Sequence, residues 1–336
     1  MEHCAIDLGG RKSQICIRAS DGQVVLEKRC ETLGLKQFLR ERPPSRVVME
    51  TCAEAFGIAD AALEAGHEVR VVPATLVRTL GVGARRRKTD RRDAQVLSEV
   101  SSRIDLPSVH IPSSRSREWK TICGMRDTLV RSRTKLVNNV RGWLRGQSVR
   151  IGSGTPVTFA SRVREMESVP SYVESQLLVL DALCMQIKVA TAQVEKLAKA
   201  DPVCSRLMTT PGIGPITVVR FVSALDRIDR FPSAHFVESY IGLVPGEKSS
   251  SDVQQRLSIT KAGSPALRWA LVEAAWSLRL CCRSADGRPL QLWALEVEKR
   301  RGKRIATVAL ARKLAGILYA LWRDWTTYDS RRAAAQ

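Results

Sequence analysis

Four carboxylates and a run of serines are the residues whose types and spacing could do chemistry. Asp7 ends a short apolar run just before Leu8-Gly9-Gly10, and Glu50 ends another, Arg46-Val47-Val48-Met49. Asp90 and Asp93 lie three apart at the start of a helical pattern, so they share one helix face. Carboxylate oxygens are hard ligands that suit Mg²⁺. Two such ions about 3.5–4 Å apart stabilise the attacking and leaving oxygens of a phosphoryl transfer. Each residue also has a plainer use. Asp7 could be a turn residue, Glu50 a solvated charge, Asp90 a helix cap and Asp93 a partner of the helix dipole. Their joint placement in one topology is what favours a metal site. The basic run Arg85-Arg86-Arg87-Lys88 precedes Asp90 and suits a phosphate backbone beside that site, or else a solvated loop. Far downstream, Lys248-Ser249-Ser250-Ser251 reads as a polar loop, since Ser favours turns. His235 is the one histidine close by in sequence, so no triad-type base is at hand. A serine still attacks phosphorus when a metal or a basic group lowers the cost of its alkoxide.

The elements that must position these residues follow from period and punctuation. His3 to Leu8 is an apolar strand, and Ser13 to Ala19 alternates, with Ile15 and Ile17 on one face. Asp21-Gly22 marks a turn into a third strand from Val24. A short helix near Leu35 to Arg40 and the Pro43-Pro44 break precede a fourth strand, Arg46 to Met49. Ala53 to Ala65 is helical and stops at Gly66; Glu68 to Val72 is a fifth strand ended by Pro73. Helices follow, the last running from Asp90 to about Ser102. Three antiparallel-capable strands followed by βα units are what an RNase H-like sheet needs, and such a sheet gathers Asp7, Glu50, Asp90 and Asp93.

The middle of the chain is helical and basic. Arg115 to Arg150 carries ten Lys or Arg, among them Arg131, Arg133, Lys135 and Arg141, against Glu118 and Asp127. Trp119 and Trp143 are interleaved with that charge, which suits a nucleic-acid backbone with aromatics for stacking, or else a solvated face over two core tryptophans. Val173, Leu177, Leu180, Cys184, Ile187, Thr191 and Val194 follow a 4-3 spacing. That stripe serves a helical hairpin or a coiled coil between subunits, and periodicity leaves both open. Further on, Gly212 and Gly214 in Thr210-Pro211-Gly212-Ile213-Gly214-Pro215 open a helix. Gly-x-Gly there offers backbone N–H groups to a phosphate, or makes a tight inter-helix turn.

Composition narrows the partner. The chain has 336 residues, enough for about two domains. Lys and Arg total 54 against 34 Asp and Glu, and the net charge of +20 favours a polyanion. No apolar run approaches the ~20 residues of a membrane span, and Met1-Glu2-His3-Cys4 does not read as a signal peptide, so a secreted or membrane protein is not expected. Nine scattered cysteines form no C-x-x-C pair, and with four histidines a zinc site lacks material. The thiols read as small apolar residues of a reducing compartment.

Ala5-Ile6-Asp7-Leu8-Gly9, Val48-Met49-Glu50-Thr51 and Lys88-Thr89-Asp90-Arg91-Arg92-Asp93-Ala94 resemble the RuvC-like DEDD domain of a family of bacterial insertion-sequence transposases. These are the serine-containing, bridge-RNA-guided recombinases related to Piv-type DNA invertases. Gly242-Leu243-Val244-Pro245, the paired serines, Ile259-Thr260-Lys261-Ala262-Gly263 and Leu267-Arg268 resemble the family's C-terminal transposase domain. Gly302-Lys303-Arg304 and the stretch from Ala309 to Leu314 resemble its last helix.

The resemblance implies an α/β plus α chain: a RuvC-like domain over 1–110, a helical or coiled-coil region over 111–200, and a serine transposase domain over 201–330. It implies Asp7, Glu50, Asp90 and Asp93 as the Mg²⁺ set, with Ser250 as nucleophile and Ser249 as the other member of the pair. Lys261 and Arg268 join the basic residues expected at nucleic acid. It further implies DNA as substrate, a structured guide RNA, a homo-dimer assembling to a tetramer, and a cytoplasmic, nucleoid-associated enzyme. Ser251 and Leu257 stand where the family pattern has Gly, which leaves the choice among Ser249, Ser250 and Ser251 open, along with a decayed copy. Other classes are a junction nuclease that uses water, an inactive nucleic-acid-binding relic, and an actin-like ATPase or sugar kinase. The last draws on Ile6-Asp7-Leu8-Gly9-Gly10, but its further phosphate and adenosine motifs do not follow.

Overall fold

Alternation of apolar residues builds the N-terminal sheet from β1 (His3–Asp7), β2 (Lys12–Arg18), β3 (Val24–Glu31), β4 (Arg46–Glu50) and β5 (Glu68–Val72). In the computed structural model, residues 1–79, 90–166, 168–250 and 253–331 are described; the side chains at 78–79, 90, 248–250 and 253–256 are not. The strand order is β3-β2-β1-β4-β5. β1 pairs antiparallel with β2 and parallel with β4, while β2–β3 is antiparallel and β4–β5 parallel. This order fits an RNase H-like sheet. The connections are α1 (Leu35–Arg40), α2 (Ala55–Glu64) and α3 (Ala74–Thr79), followed by α4 (Asp90–Arg103).

The period of two sorts each strand between two cores. Cys4, Ile6, Ile15, Ile17, Val47 and Met49 pack with Leu39, Ile58 and Ala62 of α1 and α2. Ala5, Val48 and Val72 pack on the other face with Leu97 of α4. A central sheet covered by helices on both faces explains why strands β1 and β4 read as apolar runs.

The chain divides into two compact units, Met1–Pro112 and Ser113–Gln336. The second unit is helical: α5 (Ser114–Gly146), α6 (Phe159–Arg164), α7 (Ser171–Ala200), α8 (Pro202–Leu207), α9 (Pro215–Leu225), α10 (Ala234–Ile241), α11 (Pro265–Cys281), α12 (Arg288–Arg301) and α13 (Lys303–Arg323). One hairpin, β6 (Pro245–Ser250) with β7 (Val253–Ile259), interrupts them. α5 and α7 form a long helical pair. At one end of the pair Trp119, Cys123, Val194 and Ala198 enter the main core with α8 to α13. At the other, Val137, Val140 and Leu144 meet Val173, Leu177, Leu180 and Phe159 of α6. The 4-3 stripe of α7 is therefore spent inside the chain, on α5.

Among the described residues two helices, Ser171–Ala200 and Lys303–Arg323, are long and apolar enough by length and composition to cross a membrane, against the expectation that no apolar run approaches that length. Leu310, Leu314, Leu318 and Tyr319 place the apolar face of the second one in the main core. All nine cysteines are free thiols. Burial pushes the Cys4 thiol up to about 12 and raises Cys204 as well, which suits side chains used for packing.

Candidate active site

The strand register puts Asp7 and Glu50 side by side. β1 and β4 run parallel, with Ile6 opposite Met49, and the two carboxylates follow one residue later at the same sheet edge. Gln14 is the antiparallel partner of Asp7 on the other side. Parity decides the face. Cys4, Ile6, Val47 and Met49 belong to the α1/α2 core, so His3, Ala5 and Asp7, and Arg46, Val48 and Glu50, look toward α4.

α4 brings the third carboxylate to that edge. Asp93, Leu97 and Ser101 are four apart, form one stripe and are all buried, at 4%, 3% and 2% exposure. The stripe is anchored at two levels. Ser101 Oγ lies 2.9 Å from His3 Nδ1 at the start of β1, and Leu97 packs with Ala5 and Val48 at its middle. The distance from Ser101 back to Asp93 is about 12 Å along the helix. The distance from His3 to Asp7 is about 13 Å along the strand. α4 thus runs antiparallel to β1 and delivers Asp93 to the level of Asp7 and Glu50. Asp90 begins this helix, and its side chain lies outside the described residues.

Other bonds hold this geometry, on residues that sequence reasoning missed. Gly9 N donates to Ser13 Oγ at 3.3 Å, Ser13 Oγ lies 2.8 Å from Thr32 Oγ1, and Thr32 Oγ1 donates to Gly9 O at 2.6 Å. This buried ring fixes the chain just after Asp7. A Cβ at Gly9 would sit 2.4 Å from the Lys12 carbonyl oxygen, which explains the glycine there. Behind Glu50, Thr51 Oγ1 accepts from Ala74 N at 3.1 Å. On α4, Ser98 Oγ accepts from Arg18 Nε at 3.0 Å, and Arg91 Nε donates to Glu27 of β3 at 2.8 Å. Hydrogen bonds from Gln95 and Arg91 hold the Glu27 carboxyl below its usual range. Small hydroxyls carry no periodic signal, so only the three-dimensional pairing reveals these braces.

The donor set is all oxygen, which fits a hard divalent cation and not a thiol- or imidazole-seeking one. Among the described residues no three His, Cys, Asp or Glu side chains close on one point. Among the described side chains, Asp7, Glu50 and Asp93 thus stand at one edge without closing into a cage.

The serines stand differently from the expected loop. Ser249 and Ser250 lie in strand β6, paired with Gln254 and Val253 of β7; Ser251 lies outside the described residues. A register shift between Pro245 and Glu247 sets Gly246 against Leu257 and Ser258. Leu257 is 46% exposed, so the hairpin takes a leucine there without crowding.

The hairpin is clamped at its root. Gly242, at φ +79°, caps α10, and an added Cβ would meet Ala262 N at 2.3 Å. Gly263, at φ +64°, approaches so closely that a Cβ would lie 2.1 Å from Tyr240 O. Lys261 also has positive φ, at 57°, and its N–H donates to Gly242 O at 3.2 Å. Arg268 Nη1 donates to the carbonyls of Ile241 at 2.9 Å, Gly263 at 3.3 Å and Ala262. The motif residues around the serines thus weld the end of α10 to the start of α11. That bracing role of Arg268 was not read from the sequence, because it depends on carbonyls brought together by the fold.

The remaining basic and glycine positions are scattered over the helical unit. Arg131, Lys135 and Arg141 are exposed on α5 and Arg133 is half-buried. Arg141 sits over the Phe159 ring at 5.4 Å. Arg85, Arg86, Arg87 and Lys88 lie outside the described residues. Gly212, at φ +81°, turns tightly on α11, where a Cβ would meet Ala274 O at 3.3 Å; Gly214 opens α9 with free space at its Cα. Of the two readings of Trp119 and Trp143, the structure takes core packing over stacking on nucleic acid. Trp119 is buried under Arg115, whose guanidinium lies 4.3 Å from its ring, and Trp143 packs on the core at the hairpin tip.

Known proteins match both halves of the chain. A DEDD transposase family model, described as Transposase, matches residues 4–148, and one described as Transposase IS116/IS110/IS902 family matches residues 204–288. The chain is 29% identical to the transposase for insertion sequence element IS1328 of Yersinia enterocolitica over 332 residues, covering 96% of this chain and 97% of that one. It is 27% identical to the transposase for insertion sequence element IS1111A of Coxiella burnetii, covering 96% and 90%. It is 28% identical to a probable family 20 transposase of Pseudomonas aeruginosa, covering 91% and 92%.

A DEDD domain on a carboxylate-edged sheet, followed by a transposase domain, defines a DNA-cleaving and rejoining enzyme. The chain belongs to the IS110/IS116 family of insertion-sequence transposases.

Proposed function

We propose that this transposase cuts and rejoins DNA through a covalent phosphoserine at Ser250, with Asp7, Glu50, Asp90 and Asp93 as its Mg²⁺ ligands. The observation that carries the reading is the stripe geometry of α4, which sets Asp93 at the edge where β1 and β4 end in Asp7 and Glu50. A divalent ion held there would polarise the scissile phosphate and lower the cost of a serine alkoxide. The Ser250 Oγ forms a bond to phosphorus while the bridging P–O bond to a deoxyribose breaks. The serine proton leaves to solvent or a nearby base, and the departing sugar oxygen takes one up. The phosphodiester energy is kept in the serine ester, so the reverse attack by a new sugar hydroxyl rejoins DNA without ATP. Ser249 is the neighbouring hydroxyl in the same strand, and Ser251 follows it.

The rest of the reading rests on the family resemblance and on charge. The +20 chain works on DNA in the cytoplasm, at the nucleoid, with a structured guide RNA whose base pairing selects the sites. Arg85 to Lys88, Arg131, Arg133, Lys135, Arg141, Lys261, Arg268 and the Gly212–Gly214 turn are its proposed nucleic-acid contacts. It acts as a homo-dimer that assembles into a tetramer.

The test is a plasmid bearing the element with its native flanks. Amplification across the junction of an excised circle is expected with wild type and lost with both Ser250→Ala and Asp7→Ala. A junction that survives Ser250→Ala moves the nucleophile elsewhere, and one that survives Asp7→Ala ends the metal assignment.

A further inference from the structure

α11 carries two tryptophans that the main core leaves out. Leu267, Leu271, Ala274 and Leu278 bury one side of the helix. Trp269, Glu273, Trp276 and Leu280 are spaced four, three and four residues apart, form a stripe on the other side and are all exposed. Trp269 and Trp276 are 55% and 41% accessible, values at which large rings need a reason.

Each ring is held by an arginine that is itself buried. The Arg220 guanidinium of α9 lies 5.9 Å from the Trp269 ring, donates to Ala266 O at 3.2 Å and pairs with Asp127. The Arg279 guanidinium lies 4.7 Å from the Trp276 ring and pairs with Glu298 of α12. These contacts hold the rings and leave the rest of their surface open. The two positions are about 10.5 Å apart along the helix axis, the length of about three nucleotides stacked at ~3.4 Å.

A patch of cations begins beside the second ring. Glu298 accepts from Arg279 through its carboxylate and from Gly302 N, at 2.8 Å, through its carbonyl. Gly302 joins α12 to α13 within Lys299-Arg300-Arg301-Gly302-Lys303-Arg304, where all six residues are exposed. Among the described residues one of these five cations has an acidic partner, Lys299 with Glu296 at 2.7 Å. The unit as a whole, over 113–336, carries 36 Lys and Arg against 19 Asp and Glu, so its surface suits a polyanion.

We propose that this face binds an unpaired strand of DNA, with bases stacked on Trp269 and Trp276 and phosphates on the turn from Lys299 to Arg304. Aromatic rings beside a basic track are the means by which proteins hold single strands. A duplex hides its base faces in the stack, so the rings select an opened strand. Glu273 lies between the two rings and repels a phosphate laid along α11, which sends the backbone toward the cations. α11 starts at the root of the serine hairpin, so the strand opened at the cut is the one beside this face. The choice of DNA rests on the proposed serine chemistry; the single-strand site does not.

The experiment uses the full chain without Mg²⁺, so that no cleavage enters, and a labelled DNA single strand read by fluorescence anisotropy. Trp269→Ala and Trp276→Ala are each expected to weaken binding about 5- to 150-fold. Trp276→Phe is expected to bind close to wild type, because a phenyl ring still stacks. Arg300→Gln/Arg301→Gln/Arg304→Gln is expected to reduce the slope of log affinity against log salt by about 2. Unchanged binding by the alanine variants, or an equal loss on a duplex of the same sequence, overturns the site. Tighter binding of the matching RNA strand, lost with the same alanines, overturns DNA as the occupant and gives the face to RNA. Failure of the serine chemistry reads differently: wild type then binds the strand, loses affinity with the alanines, and yields no excised junction.

Discussion

The two candidate halves of the chemistry are held in opposite ways. Asp7 and Glu50 end strands in the middle of a five-stranded sheet, and Asp93 lies on a helix docked across it. Their positions follow from two buried cores, one on each sheet face. Ser249 and Ser250 lie in a two-stranded ribbon, which has no sheet face of its own to bury. What fixes the ribbon is its root, where Gly242, Gly263, Lys261 and Arg268 join two helices. A metal site needs several ligands brought to one edge, and a packed sheet supplies that. A nucleophile needs one hydroxyl presented to a large substrate, and a ribbon on a rigid root supplies that.

The difference is sharpest in what each half tolerates. Gly263→Ala puts a Cβ 2.1 Å from Tyr240 O at a positive φ. The expected loss is about 3 kcal/mol or more in urea unfolding of the full chain. An unaltered midpoint would mean that the root does not carry the hairpin. Next comes metal linkage. Mg²⁺ at 100 times its dissociation constant is expected to add about 2.7 kcal/mol to stability, seen as a rise in melting temperature. Asp7→Ala is expected to erase that rise and Ser250→Ala to leave it intact. An equal loss in both variants would break the division between the two halves.

A third effect concerns pH and is confined to alkaline solution. Burial raises the Cys4 thiol to about 12 from an ordinary value near 9, so the folded sheet favours the neutral thiol. The unfolded chain ionises first, so stability is held below pH 9 and lost as pH rises toward 12. The loss is at most about 1.4 kcal/mol per pH unit. Cys4→Ala is expected to flatten the alkaline limb of the stability curve. An unchanged limb would place the alkaline weakness outside the sheet.

Much of the sheet is legible in the sequence. Ile15 and Ile17 alternate, Pro73 and Gly66 punctuate, and the apolar runs before Asp7 and Glu50 belong to strands covered on both faces. Three strands before the first βα unit are enough to set the order around β1. The ribbon reads as a loop because Lys248-Ser249-Ser250 has no apolar alternation; pairing alone makes it a strand. For Trp119 and Trp143 the sequence leaves stacking and core packing both open for a related reason: charge on neighbouring positions hides the face that packs inward. On α7 the 4-3 stripe is visible in the sequence, but its partner α5 is not. Braces made by Ser13, Thr32, Ser101 and Arg268 leave no pattern in one dimension.

The most direct test of the central claim is the chemical fate of the serine. The protein is incubated with element DNA, its flanking RNA and Mg²⁺, then denatured, digested with nuclease and protease, and read by mass spectrometry. The account predicts a peptide carrying a deoxynucleotide phosphate on Ser250, absent from Ser250→Ala and Asp7→Ala. Cleaved DNA with no nucleotide on any serine would contradict it and assign the cut to water.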